Sequence, residues 1–204
     1  MARGASRAQS ELPDVSQYGE GGAKRRDGVY ASNSYKAYAV DFIDRAIKAG
    51  FVDTYDVQDG VALNDAANAV YEAIDDKLYN LEAHSERVAR TERLLASKDP
   101  IDWSMVRNAL PLTAEEMAEA DRKKESFGSF AKTQAIYEFD DAFAEDTRGN
   151  FTGDDAKDKP YFARKLLEGR LAAAKELLND MRDEVETKAL ATYREWASNR
   201  RAKD

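Results

Sequence analysis

The sequence predicts an all-α protein: a helical bundle with two long heptad-seamed helices, shorter aromatic-rich helices and an extended N-terminal arm. Three observations carry this. Apolar residues recur at steps of three and four over two long stretches. No long alternating segment, the mark of a sheet, occurs. Helix-capping residues fall where the periodic stretches begin and end. Of the 204 residues 43% are hydrophobic, enough for a core, and 34% are charged, as in helices that bury one stripe and solvate the rest.

Residues 1–30 read as a flexible or extended arm: Gly4, Gly19, Gly21, Gly22, Gly28 and Pro13 crowd a stretch poor in aliphatic residues. Residues 31–204 read as one helical domain, of which 160–204 form a long helix free to project from it.

The first helix is expected from Tyr35 to Ala49, with Gly50 in the left-handed capping position. Asp59-Gly60, between Val57 and Val61, has the composition of a tight hairpin turn. Asn64 then caps a helix over 65–97 whose seam is Ala67, Tyr71, Ile74, Leu78, Leu81, Ser85, Val88, Glu92 and Leu95. A short helix starts at Asp99-Pro100, with Pro at its first position. Thr113-x-x-Glu116 is a capping box, and Leu112 with Met117 can form its hydrophobic staple. Gly128 is expected to break that helix. The next, over 129–145, carries Phe130, Ile136, Tyr137, Phe139 and Phe143 around much of its circumference and is expected to be central and buried. A loop over 146–159 leads to a last helix from Pro160 to about Asn199, seamed by Leu167, Leu171, Ala174, Leu178, Met181 and Val185 and drifting to Ala189, Tyr193 and Trp196. The two long seams can pair antiparallel, or one can join a second chain.

Composition narrows the function classes. A net charge of −8 makes nucleic acid and anionic membranes poor default partners. The lack of cysteine excludes disulfides, thiolate metal sites and a cysteine nucleophile and fits a reducing compartment, so the expected location is cytoplasmic or intracellular, with a virion as the alternative. No apolar run approaches the ~20 residues that span a bilayer. Residues 1–10 lack the apolar core of a secretory signal, so the Asn150-Phe151-Thr152 sequon reads as chance.

His84 is the only histidine and reads as a residue on a helix flank. No nucleophile elbow, Walker loop or dinucleotide fingerprint occurs. Glu138, Asp140, Asp141, Glu145, Asp146, Asp154, Asp155 and Asp158 are clustered acids, and Glu138, Asp141 and Glu145 share one helix face. Clustered carboxylates suit Mg²⁺ or Ca²⁺, although EF-hand spacing is missing. Glu116-x-x-Glu119 followed by Glu138-x-x-Asp141 resembles the E-x-x-E…E-x-x-D pattern of the all-α nucleotide pyrophosphohydrolases (MazG and dimeric dUTPase-like enzymes). The resemblance implies four carboxylates holding Mg²⁺, which binds substrate phosphates and activates a water.

The C-terminal end is mildly basic through Lys188, Arg194, Arg200, Arg201 and Lys203, which helix-dipole complementarity alone explains. An acidic helical body with a basic helical end is similar to the charge layout of phage scaffolding proteins. Tyr18, Arg25, Arg26, Tyr30, Trp196, Arg200 and Arg201 are the candidate partner-binding residues. The leading expectation is a non-enzymatic interaction or assembly protein without a cofactor, viral or phage assembly included, whose partner is itself or a larger assembly. The alternatives are the Mg²⁺-dependent hydrolase and a monomeric inhibitor or adaptor of one host protein.

Overall fold

The computed structural model describes residues 34–57, 60–146 and 155–203, with side chains described at all of these except 34, 35, 37, 54, 55, 138–146, 155 and 156. The expected arm, with Tyr18, Arg25, Arg26 and Tyr30, lies outside the described residues. The described chain is all-α, with six α-helices and no strand among the described residues. They are α1 (Ser34–Lys48), α2 (Gly60–Ala96), α3 (Trp103–Ala109), α4 (Ala114–Lys123), α5 (Phe127–Asp146) and α6 (Asp155–Arg201), with a 3-10 turn at Thr54–Val57 after α1.

Local chemistry sets the helix ends. After α1, the Gly50 N–H donates to Ile47 and the Phe51 N–H to Ala46, both at 2.9 Å, with Gly50 at φ +75°. This double bond pattern is the one glycine favours because it lacks a Cβ. Gly60, expected in a hairpin turn, instead opens α2. Ala62, Ala66, Ala67 and Val70 continue the buried stripe through this early start, and burial outweighs the turn composition of the dipeptide. Asp102, not Asp99, caps α3: its carboxylate accepts the Met105 N–H at 3.0 Å and the Ser104 hydroxyl at 2.6 Å. The Thr113 capping box forms, with Glu116 N–H to Thr113 Oγ1 at 3.2 Å and Thr113 N–H to Glu116 Oε2 at 2.7 Å. The break before α5 falls at Lys124, in the left-handed region at φ 54°, not at Gly128. Pro160 lies inside α6, which begins five residues before it. Lacking an N–H, it forgoes one backbone bond in the second turn of the helix.

Contacts divide the described chain into two compact units. Unit 1 holds α1, the 3-10 turn, α2 up to Glu82 and α6 from Met181 on. It buries Tyr38, Phe42, Ile43, Val70, Ile74, Leu78, Val185 and Tyr193. Unit 2, from Ala83 to Asp180, has two apolar clusters. One joins Ile101, Val106, Leu110, Ala135, Phe162 and Leu167; the other joins Leu112, Ala120, Phe127, Phe130 and Ala131, with Met117 against it. Leu112 and Met117 thus sit at one cluster, as a staple requires. Within unit 2, α2 runs antiparallel to α6: His84 meets Ala174, Glu92 pairs with Lys175, and Leu95 accepts from Arg164.

The second half of α2 departs from the expected seam. Glu92 is exposed, while His84, Arg87, Val88 and Thr91 are buried. Their spacing of i, i+3, i+4 and i+7 is the wide stripe of a helix covered on several sides, not a two-position seam. His84 is accordingly in the core rather than on a flank. The described part of α5 buries Phe127, Phe130, Ala131 and Ala135 but leaves Tyr137 59% exposed, so it lacks the all-round burial expected of it.

Candidate functional site

Five arginines on the two long helices hold the short connections of the fold. In unit 2, Arg87 Nη1 donates to the Leu110 carbonyl at 2.7 Å and more weakly to Arg107 at 3.4 Å. Arg90 reaches Asn108 at 3.4 Å, and the Thr91 hydroxyl reaches Ala109 at 2.8 Å. Four successive carbonyls at the end of α3, which the helix itself cannot satisfy, therefore take donors from α2. The cations also lie where the helix dipole favours them. Arg164 does the same for the end of α2, donating to Leu95 at 2.9 Å and Ser97 at 2.7 Å. In unit 1, Arg194 donates to Phe51 at 3.3 Å, and Arg201 clasps Asp56 with two nitrogens, one at 2.7 Å.

The carboxylates that resemble a metal set are placed only in part. Glu116 is nearly buried, and its two oxygens accept from Arg170 at 2.7 and 3.0 Å. Burial works against ionisation here, but the hydrogen bonds from Arg170 and Thr113 outweigh it and hold the carboxyl below the usual range. Glu119 pairs with Lys123 one turn along α4. The side chains of Glu138 and Asp141 lie outside the described residues. Among the described residues no group of three or more acids or histidines is arranged to hold a metal.

The C-terminal candidates lie at the end of α6 in unit 1. Trp196 packs against Tyr193, centroids 5.8 Å apart, and the Arg200 guanidinium lies 5.7 Å above its ring. Arg201 is committed to Asp56, which is 3% exposed. An open cleft of about 300 Å³ lies here, lined by Phe51, Asp53, Tyr193, Arg194, Ser198 and Arg201 among others. The Tyr193 hydroxyl donates to the Asp53 carbonyl at 3.3 Å. Burial, and after it the Asp56 carboxylate, pushes this phenol up to about 12, so it stays protonated.

The feature missed in the sequence is the outer face of α2 in unit 1. Val61 is 72% and Tyr79 48% exposed. They stand five turns, about 27 Å, apart on one line of the helix. Asp65, Glu72 and Asp76 are exposed between them. The same five-turn periodicity is present in the sequence, where it is hidden by the stronger apolar stripe.

No family model matches the chain, and comparison with curated proteins and with solved structures finds no match either. Among the described residues no helix is long and apolar enough to cross a membrane.

Proposed function

We propose that this chain is a non-enzymatic assembly protein that meets a second copy of itself, or a larger assembly, through the outer faces of its long helices. One observation carries the reading. The apolar residues Ala67, Ile74, Leu78 and Leu81 are covered within the chain, whereas Val61 and Tyr79 stand exposed on the opposite, acidic face. Covered seams have no apolar surface left to offer, so a protein partner has to use what remains outside. The heptad character of α2 and α6 then serves to make stiff rods rather than a dimer seam. A virion or phage assembly role is a narrower reading within this class, suggested by the arm-like composition of residues 1–30 together with the long helices.

The acidic face does not pair well with its own copy, since like charges repel. It complements the basic end of α6, where Lys188, Arg194 and Lys203 are exposed. Such a contact is head-to-tail and extends or closes by geometry. Light scattering on the full chain, against a Val61→Ser/Tyr79→Ser variant, tests it: the wild type associates in a salt-sensitive way and the variant does not.

A further inference from the structure

His84 is the chain's only histidine, is fully buried, and has no hydrogen-bond partner at Nδ1. Its Nε2 lies 3.0 Å from the Ala174 carbonyl. A carbonyl only accepts, so Nε2 carries the proton and Nδ1 is a bare lone pair in the core. The Phe127 ring of α5 meets the imidazole edge to face, centroids 6.2 Å apart. One turn along α2 lies Arg87, also buried, which donates to the Arg107 and Leu110 carbonyls at the end of α3.

Three neighbouring cations already have anionic partners. Arg170 of α6, one turn before Ala174, is held by Glu116 of α4. Lys175 of α6 pairs with Glu92, and Arg90 with Glu86. A proton on Nδ1 would therefore add a second buried cation beside Arg87, with no acceptor and no anion to receive it.

We propose that His84 is an acid-sensitive latch of unit 2: protonation at Nδ1 drives the ring out of its slot among α2, α5 and α6 and releases Arg87 and Thr91 from the end of α3. The proton comes from solvent, and no bond other than hydrogen bonds is broken. Burial is the main reason the closed imidazole resists protonation; the Ala174 carbonyl works the other way, and Arg87 adds to the resistance. In the open state the ring protonates near the ordinary value of about 6.5. Below that pH each opening takes up one proton, so the opening constant rises about tenfold per pH unit. The Glu116 carboxyl, held below the usual range, keeps its clasp on Arg170 through this window.

The test uses the full chain. The lone imidazole is followed by long-range proton–nitrogen NMR from about pH 8 to pH 5, and amide hydrogen exchange is measured alongside and corrected for its intrinsic pH dependence. The latch requires a neutral Nε2–H ring at pH 7. It also requires protection over 84–91 and 106–110 to fall about tenfold per unit below pH 6.5. In His84→Leu that pH dependence disappears. Equal acid loss in His84→Leu, or a ring that titrates at the free-histidine value while the amides stay protected, overturns the proposal. If His84→Leu does not fold, the wild-type chain decides: ring titration and loss of protection must share one onset.

Discussion

Arg170 grips both oxygens of Glu116, at 2.7 and 3.0 Å, while one of those oxygens also takes the Thr113 N–H at 2.7 Å. A single carboxylate thereby joins the start of α4 to the middle of α6. Removing one partner of such a shielded pair leaves an uncompensated charge. Arg170→Met is expected to cost roughly 2–3 kcal/mol in urea unfolding, more than Glu116→Gln, which keeps an acceptor for Thr113. Because the folded carboxyl lies below its ordinary range, this stability is full above about pH 4.5 and is lost as the pH falls through the folded value.

Glu186 in unit 1 responds to pH in the opposite sense. Burial, reinforced by Asp183 and opposed by Arg182, pushes its carboxyl up to about 7. The unfolded chain loses this proton near pH 4.5, before the folded one does, so stability falls as the pH rises from there to about 7. Glu186→Gln is expected to stabilise the chain by about 1–2 kcal/mol at pH 8, after allowing for solvent screening, and by nothing at pH 4. Thermal melts at the two pH values check both arms.

Gly169 lies within α6, and a Cβ built on it meets nothing within 4 Å. Gly169→Ala is expected to gain about 0.5–1 kcal/mol through the backbone entropy of the unfolded chain. No gain in the melting temperature would mean that α6 is not continuous there.

Two left-handed residues give a matched pair. Gly50 sits at φ +75° and Lys124 at φ 54°. Lys124→Gly is expected to stabilise by up to about 1 kcal/mol, because it removes Cβ strain, and Gly50→Ala to destabilise by a similar amount. Both are read from chemical denaturation midpoints.

The helices were legible in the sequence because their signals are local. Thr113 and Glu116 announce their own geometry, and Gly50 ends α1 as its position implies. The role of Glu116 beyond the capping box was not legible, since Arg170 lies 54 residues away and no short-range rule pairs them. The same holds for His84, Arg87 and Thr91. Read along one helix they look like a polar flank, and only the arrival of α3 and α6 turns that flank into core. Lys124 was missed as a helix stop because glycine, the usual signal, stands four residues later.

The measurement that bears most directly on the assembly reading is the solution mass of the full chain by light scattering during size-exclusion chromatography. It should be compared with the Val61→Ser/Tyr79→Ser variant at low and high salt. The proposal requires a wild type heavier than one chain at low salt, and a variant of unchanged helicity that runs as a single chain. A wild type that stays monomeric at every concentration, or a variant that associates as strongly as the wild type, would contradict it.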